Sequence, residues 1–217
     1  MNQASPPLHS LVSKQQQIMK YFLGLLLLCL GVLRPATAIS NLFEGIELPE
    51  FRKGGGLELK RNGQGIRSVW GFKIYVAAMY TLNQIREAKD IMDCHGDCPQ
   101  QLDFTFLRSV SGKQSKTAWQ KQLEYSVSYH YDGYEKDRDD FIEKMSGPIA
   151  NGGTLSVRMI GDDTEVVAQG IERGVVRGKG FQKAFLSMWF GDRPVANDLK
   201  VGLLEGAAHL NPILAAV

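Results

Sequence analysis

The sequence lacks the short motifs that mark the common nucleotide-binding and hydrolytic sites. It has no P-loop, no Gly-x-Ser-x-Gly elbow and no His-Glu-x-x-His pair. Histidine is scarce, and none of the three histidines beyond residue 38 lies near a serine and a carboxylate in the pattern of a catalytic triad. These absences argue against the commonest motif-bearing enzymes, and we predict no cofactor and no metal site.

Acidic residues are absent from residues 1–38, which contain three basic residues. The apolar run within this segment, residues 22–33, is 12 residues long and therefore shorter than the roughly 20 residues that cross a bilayer. Ala36-Thr37-Ala38 then places small residues at the positions that a signal peptidase recognises. We predict a cleaved signal peptide over residues 1–38, export to the periplasm and no membrane span in the mature chain. Either Met1 or Met19 could be its start.

The chain has no large excess of either charge. Its 25 basic and 23 acidic residues give +2, and without the three basic residues of the predicted leader the balance is 22 against 23, or −1. Proteins that bind nucleic acid through its phosphates need a strong positive excess, so we predict no nucleic-acid partner. Removing 38 of 217 residues leaves 179, which fits one domain over residues 39–217.

Cysteine is also scarce. Beyond the leader the chain has only Cys94 and Cys98, separated by His95-Gly96-Asp97. In an exported protein, two cysteines around a glycine turn form a disulfide more often than a metal site. We predict a Cys94–Cys98 disulfide that fixes a local turn, because so short a loop constrains the unfolded chain little. A metal pair with His95 as a third ligand, or free thiols, are the alternatives.

Alternation of apolar and polar residues predicts several β-strands. Residues 57–61 alternate in this way, and Asn62-Gly63, which follows them, is a typical tight turn. Helical spacing of apolar residues and helix-ending glycines predict helices elsewhere. The strands are predicted over residues 57–61, 72–80, 101–110, 154–160 and 164–168, and the helices over residues 85–92, 116–129, 139–145, 181–190 and 197–205. Strands and helices are segregated, so we predict an α+β fold with a largely antiparallel sheet and helices packed on one side.

Arg67 carries the strongest functional signal. Its neighbours are glycines and apolar residues, and no acid lies between Arg61 and Thr81. A buried guanidinium needs an anion, which could be an external carboxylate or phenolate. An internal acid such as Glu58 or Asp103 is the alternative.

The strand that follows Arg67 carries its predicted partner. If the chain forms a hairpin centred on Gly71, Arg67 lies opposite Tyr75. Strand alternation then places Lys73 and Tyr75 on the same face. An arginine, a lysine and a tyrosine on one pair of strands indicate a site that binds an anion.

At these residues the sequence resembles the chalcone isomerase family, and more closely its bacterial exported branch of chalcone isomerase-like proteins. Four stretches carry the resemblance, which extends from about residue 57 to residue 205. They are Gly63-Gln64-Gly65-Ile66-Arg67 followed by Phe72-Lys73-Ile74-Tyr75, then Phe106 through Gln114, the hairpin near residues 154–168, and Gly180-Phe181 through Pro194. The resemblance implies an open-faced β-sandwich, in which a large antiparallel sheet carries helices on one face and a ligand cleft lies between.

The resemblance also implies roles for individual residues. In the plant isomerases, the arginine that matches Arg67 attracts an ionised substrate phenol, and in fatty-acid-binding relatives it holds a carboxylate together with a tyrosine. Tyr75 falls where the isomerases have a threonine, Ser115 where they have a tyrosine, and Gln122 where they have an asparagine. The anion receptor is therefore kept while the groups that assist ring closure are changed. The candidate ligand-binding residues are Arg67, Tyr75, Lys73, Ser115 and Gln122.

Three functions follow from this pattern. The first is an exported, non-catalytic binding protein for a small amphipathic carboxylate such as a fatty acid. The second is an isomerase, formally an intramolecular lyase, that uses Arg67. The third is an envelope structural or interaction protein with no small ligand. The sequence predicts no particular protein partner, ligand length or oligomeric state.

Overall fold

The computed structural model describes residues 42–94, 96–127 and 131–205. The predicted leader and its cleavage site lie outside these ranges, and so does His95, the third ligand of the alternative metal site. Within them, no helix is both long enough and apolar enough to cross a membrane.

Seven strands form one antiparallel sheet in which each strand pairs with the next strand along the chain. A separate two-stranded ribbon of β1 (Leu42–Phe43) and β2 (Ile46–Glu47) precedes it. The sheet consists of β3 (Phe51–Gly54), β4 (Leu57–Val69), β5 (Phe72–Thr81), β6 (Gly96–Phe106), β7 (Thr154–Gly161), β8 (Asp163–Ala168) and β9 (Ile171–Arg177). The predicted strands are all present, and β1, β2 and β3 precede the first of them.

In the described part of the chain, five helices pack against one face of this sheet. They are α1 (Ala88–Met92), α2 (Gly112–Ser126), α3 (Tyr134–Met145), α4 (Lys179–Phe190) and α5 (Asn197–Glu205). The predicted α+β fold, with a large antiparallel sheet and helices on one side, is confirmed. Helix α2 begins four residues before the predicted start, because Ser111 and Gln114 form a reciprocal capping box.

The opposite face of the sheet also buries apolar side chains. Val76, Ala78 and Tyr80 of β5 point to this face and pack with Leu48 and Leu59. The alternate residues Ala77 and Met79 point to the helices, as the predicted alternation requires. Residues Phe43 and Ile46 pack against the smaller cluster, so the N-terminal ribbon covers part of the face that has no helices.

The predicted turn at Asn62-Gly63 is wrong, because β4 continues through it as one 13-residue strand. Asn62 is 1% exposed, and its amide nitrogen donates to the backbone oxygens of Ile85 and Leu203 at 2.9 Å. Gly63 lies against the backbone of α5, where an added Cβ would be 2.3 Å from the Leu203 oxygen. Asn62-Gly63 thus serves close packing of a helix on the strand, with a register shift in place of a turn.

The predicted hairpin between β4 and β5 is present. Its two turn residues, Trp70 and Gly71, have φ angles of 50° and 80°, and two successive positive values are typical of a type I′ turn. Ile74 has no partner on β4, and this extra residue shifts the register by one. Arg67 consequently pairs with Tyr75, as predicted, although the residues next to the turn follow the other register.

The predicted disulfide between Cys94 and Cys98 is confirmed, with the two Cα atoms 5.6 Å apart. It joins Cys94, in the connection after α1, to Cys98 near the start of β6. Gln100, which follows it, is buried and donates from its side-chain nitrogen to the backbone oxygen of Ile91 in α1 at 2.9 Å. The connection is therefore fixed at both ends.

The contact between β4 and α5 yields a stability prediction. Gly63→Ala places a methyl group inside contact distance of α5 backbone atoms, so the helix must move or the strand must bend. We expect the free energy of unfolding to fall by about 1–3 kcal/mol. The measurement is urea unfolding followed by circular dichroism. Gly147→Ala is the matched control, because nothing lies within 4 Å of its added Cβ. Equal midpoints for the two variants would contradict the assignment of Gly63 to close packing.

Candidate ligand-binding site

A cavity with a volume of about 570 Å³ lies between the helices and the β4–β6 part of the sheet. This volume is in the range of sites that enclose small molecules, about 300–1,000 Å³. The cavity is lined by Arg67 and Val69 of β4, Ile74 and Tyr75 of β5, Phe106 of β6, Val110, six residues of α2 (Ser115, Ala118, Trp119, Lys121, Gln122, Tyr125), Trp189 of α4, and Val195.

Five of the lining residues are aromatic. The Tyr75 ring lies 5.3 Å from the Phe104 ring and 5.7 Å from the Phe106 ring, measured between centroids. Trp189 contacts Phe104 at 5.3 Å and Trp119 at 6.2 Å. Such edge-to-face and tilted contacts hold each ring in place. The wall is therefore apolar and preformed, which suits the hydrocarbon part of a ligand.

Helix α2 lines the cavity because of its residue spacing. Ser115, Ala118, Trp119, Gln122 and Tyr125 recur at intervals of three and four, so they lie along one side of the helix. The capping box fixes the first residue of α2 and therefore which of its residues face the cavity. The sequence carries this signal, because Ser115 and Gln122 are one heptad apart and define the same side as Trp119.

Arg67 is the candidate anion receptor. It is half-buried, and one of its terminal nitrogens donates to the backbone oxygen of Ser68 at 2.7 Å. No acid in the described ranges forms an ion pair with it. Of the internal acids considered as alternatives, Asp103 pairs with Arg52 at 2.7 Å, and Glu58 lies opposite Lys53 on the edge strand. Arg67 therefore lines the cavity without a counter-ion among the described residues.

Tyr75 supplies a hydroxyl beside this charge. Burial raises the pKa of Tyr75 to about 12, although the hydrogen bond from Trp189 and the positive charge of Arg67 act in the opposite direction. The phenol is thus protonated at neutral pH. The indole nitrogen of Trp189 donates to the Tyr75 oxygen at 3.3 Å, and no described residue accepts the Tyr75 proton. Tyr75 can therefore donate a hydrogen bond into the cavity.

Ser115 and Gln122 also line the cavity, and each side chain donates a hydrogen bond within the protein. The Ser115 hydroxyl donates to the backbone oxygen of Met145 at 3.3 Å. The Gln122 side-chain nitrogen donates to the Ser126 hydroxyl at 2.6 Å, and this hydroxyl donates to the backbone oxygen of Arg193 at 2.7 Å. Ser115 thus attaches α2 to the end of α3, while Gln122 bonds within α2 to Ser126, which attaches the helix to Arg193.

Lys73 lies apart from the other candidates. It is exposed, forms an ion pair with Glu44 and does not line the cavity. The extra residue at Ile74 explains this position, because it breaks the alternation that would have placed Lys73 on the same face as Tyr75. The structure thus brings together four of the five candidates: Arg67, Tyr75, Ser115 and Gln122.

The sequence did not single out three other lining residues, Trp119, Lys121 and Trp189. Lys121 adds a second positive charge to the cavity, and the two tryptophans form its inner wall. In contrast, Trp70, one of the apolar neighbours of Arg67 along the chain, is 94% exposed because it occupies the hairpin turn.

Comparison with known proteins agrees with this architecture. The sequence profile described as chalcone isomerase-like matches residues 40–205. No curated protein sequence gives a significant match. Among solved structures, a fatty-acid binding protein of Arabidopsis thaliana is similar, with a TM-score of 0.59 and 14% sequence identity over 76% of this chain and 95% of that one. At this identity the structural likeness shows the fold alone. The profile match covers more than half of the chain, and the chain belongs to the chalcone isomerase-like family.

Proposed function

We propose that the protein binds a small amphipathic carboxylate, with the head group on Arg67 and Tyr75 and the apolar part in the aromatic cavity. The observation that carries this proposal is the positive charge of Arg67, which faces an apolar cavity without an ion pair among the described residues. A charge in such surroundings is satisfied by an anion that brings its own apolar surface.

The pairing of β4 with β5 supports a head-group site of this kind. Arg67 and Tyr75 are directly opposite on neighbouring strands, so their donors approach the same point. A carboxylate has two oxygens and can accept from the guanidinium and from the phenol together. A hydrogen bond to a charged group contributes about 1.5–3 kcal/mol, which is enough to orient the ligand.

A fatty acid is the ligand class that we favour. The cavity wall has five aromatic side chains and few polar groups without protein partners, so it suits a hydrocarbon chain better than a sugar or a nucleotide. The similar Arabidopsis structure is described as a fatty-acid binding protein, which supports the same class. We further propose, from the features of residues 1–38, that the protein is exported and meets this ligand in the periplasm.

Isomerase chemistry fits the site less well. The Ser115 proton and the Gln122 amide, which fall at positions of assisting groups in the plant isomerases, are used in contacts with the backbone of Met145 and with Ser126. Tyr75 cannot act as a base near neutral pH, because its pKa is raised to about 12 by burial. We accordingly expect no loss of chalcone absorbance when a chalcone is incubated with the protein. Loss that depends on Arg67 would favour the isomerase.

The first prediction for this site concerns Arg67. We expect saturated fatty acids from octanoate to stearate to raise the melting temperature of the wild type, with one chain length giving the largest shift. Arg67→Ala removes the counter-charge and should weaken binding about 10- to 100-fold, in line with a charged hydrogen bond of about 1.5–3 kcal/mol. Thermal unfolding and calorimetric titration measure the two effects.

Arg173→Ala is the matched control, since Arg173 is an exposed arginine of β9 that does not line the cavity. This variant should bind like the wild type. If Arg67→Ala binds fatty acids as tightly as Arg173→Ala does, the head-group assignment is wrong.

The second prediction concerns Tyr75. Tyr75→Phe keeps the ring contacts with Phe104 and Phe106 but removes the hydroxyl, so we expect the dissociation constant to rise about three- to tenfold. The melting temperature without ligand should change little, because among the described residues the hydroxyl has a single, long hydrogen bond, from Trp189. An unchanged affinity would remove Tyr75 from the head-group site.

The third prediction is a pH profile of binding. Burial holds the pKa of Tyr75 at about 12, so the phenol keeps its proton and affinity should be constant between about pH 6 and pH 9. Affinity should fall below about pH 4–5, where a free carboxylate gains a proton and loses its charge. Isothermal titration with octanoate, which dissolves readily, measures the profile. Equal affinity for the protonated acid would show that the charge of Arg67 is not used.

A further inference from the structure

Trp70 is the most exposed large apolar residue in the described part of the chain, with 94% of its surface accessible. It lies at the tip of the β4–β5 hairpin with a φ of 50°, a conformation that disfavours bulky residues and that Asn or Gly adopts readily. No hydrogen bond or ring contact joins its indole to another described residue. The fold therefore carries an unfavourable turn residue for which it has no structural use, and this is a common sign of function.

Other exposed aromatic residues lie close to Trp70 and around the entrance to the cavity. Phe72, two positions along the chain, is 60% exposed. Val69, immediately before Trp70, lines the cavity from the sheet, and Tyr125 of α2 lines it from the helices while remaining 55% exposed. The entrance thus has aromatic groups on both sides.

Four basic residues accompany these aromatic groups. The guanidinium of Arg108 lies 5.2 Å from the centre of the Phe72 ring, and that of Arg193 lies 5.2 Å from the centre of the Tyr125 ring. Arg67 and Lys121 line the cavity itself. None of the four forms an ion pair with an acid in the described residues. We call the seven residues Arg67, Trp70, Phe72, Arg108, Lys121, Tyr125 and Arg193 the entrance patch.

Acidic residues do occur nearby, and they leave the patch positive. Glu44 is paired with Lys73, and so neutralises a charge outside the patch. Glu124 and Asp192 are exposed neighbours of Tyr125 and Arg193 along the chain, but neither forms an ion pair with a patch residue. Four cations against these two acids leave a net positive charge.

We propose that the entrance patch docks on an anionic lipid bilayer, with the Trp70 indole inserted at the level of the head groups. Tryptophan and tyrosine prefer this interface because they combine an apolar ring with a polar group. Arginines stacked on aromatic rings can bury their apolar parts while their charges meet lipid phosphates. The positive charge of the patch complements an anionic surface.

The same features disfavour a second copy of the chain as the occupant. A symmetric dimer through this patch would bring the two sets of cations together, which is repulsive. A bilayer instead offers phosphates at every position. Arg67 is shared with the proposed carboxylate site, so a bound carboxylate would remove one of the four patch charges. Trp70, Phe72, Arg108 and Arg193 do not line the cavity, so variants at these positions test docking separately from ligand binding.

The test measures how much of the protein binds to lipid vesicles. The protein is purified in the form that accumulates in its host. Vesicles of phosphatidylcholine alone are compared with vesicles that also contain phosphatidylglycerol, by co-sedimentation at low and high salt. All variants are prepared alike, so any contribution of the N-terminal segment is common to them. We expect the wild type to bind the anionic vesicles, to bind neutral vesicles weakly, and to lose affinity as salt screens the charges.

Trp70→Asn is the decisive variant. Asparagine suits a positive φ in the turn, so the fold should be at least as stable as the wild type by thermal unfolding. Partition onto anionic vesicles should nevertheless fall about tenfold, because the interfacial side chain is lost. Arg108→Gln should lower it about fivefold by removing one charge near the surface. Ile171→Ser is the control, since Ile171 is 60% exposed on β9 outside the patch, and it should leave partition unchanged.

Several results would overturn the proposal. One is equal binding to neutral and anionic vesicles, and another is partition by Trp70→Asn equal to that of Ile171→Ser. Absence of binding to either vesicle would do the same. A dimer detected by sedimentation velocity and abolished by Trp70→Asn would assign the patch to a second copy of the chain.

Discussion

The pairing of β4 with β5 is the constraint on which the rest of the molecule depends. These two strands lie between the edge strand β3 and the central strand β6. Their side chains contribute to the apolar layers on both faces of the sheet. The extra residue at Ile74 shifts the pairing of β4 with β5 by one residue between the turn and the cavity. In the part of the pair that lines the cavity, Arg67 is opposite Tyr75. Because strand alternation has a period of two, a different register would move these side chains to other faces.

A second constraint is the close approach of α5 to β4. Added Cβ atoms at Gly63, Gly65 and Gly202 would each lie within 2.7 Å of atoms in the opposite element. Asn62 forms hydrogen bonds with backbone groups of Ile85 and Leu203. It therefore joins β4 both to the segment before α1 and to α5. Strand and helix are held at a separation that only glycine permits, which limits how far the cavity wall can move.

Much of the fold was readable from the sequence, because alternation and helix-ending residues are local signals. The strands, the helices, the fold class and the opposition of Arg67 and Tyr75 all rest on such signals. The predictions failed where contacts with distant parts of the chain determine the local structure. Asn62-Gly63 resembles a turn until α5 packs on it, and Lys73 follows the alternation until one extra residue interrupts it. The second charge at Lys121 becomes meaningful only when α2 is placed over the sheet.

The three tryptophans occupy three different surroundings, and this gives the protein its own optical reporters. Trp70 is almost fully in solvent, Trp119 lines the cavity, and Trp189 both lines it and donates to the Tyr75 oxygen at 3.3 Å. Emission from Trp70 should lie toward long wavelengths, and emission from the other two toward short wavelengths, because indole emission follows local polarity. A group that accepts the Tyr75 proton changes the electron density of the oxygen to which Trp189 donates. The spectrum of a single chain can therefore distinguish events inside the cavity from events at its entrance without an added label.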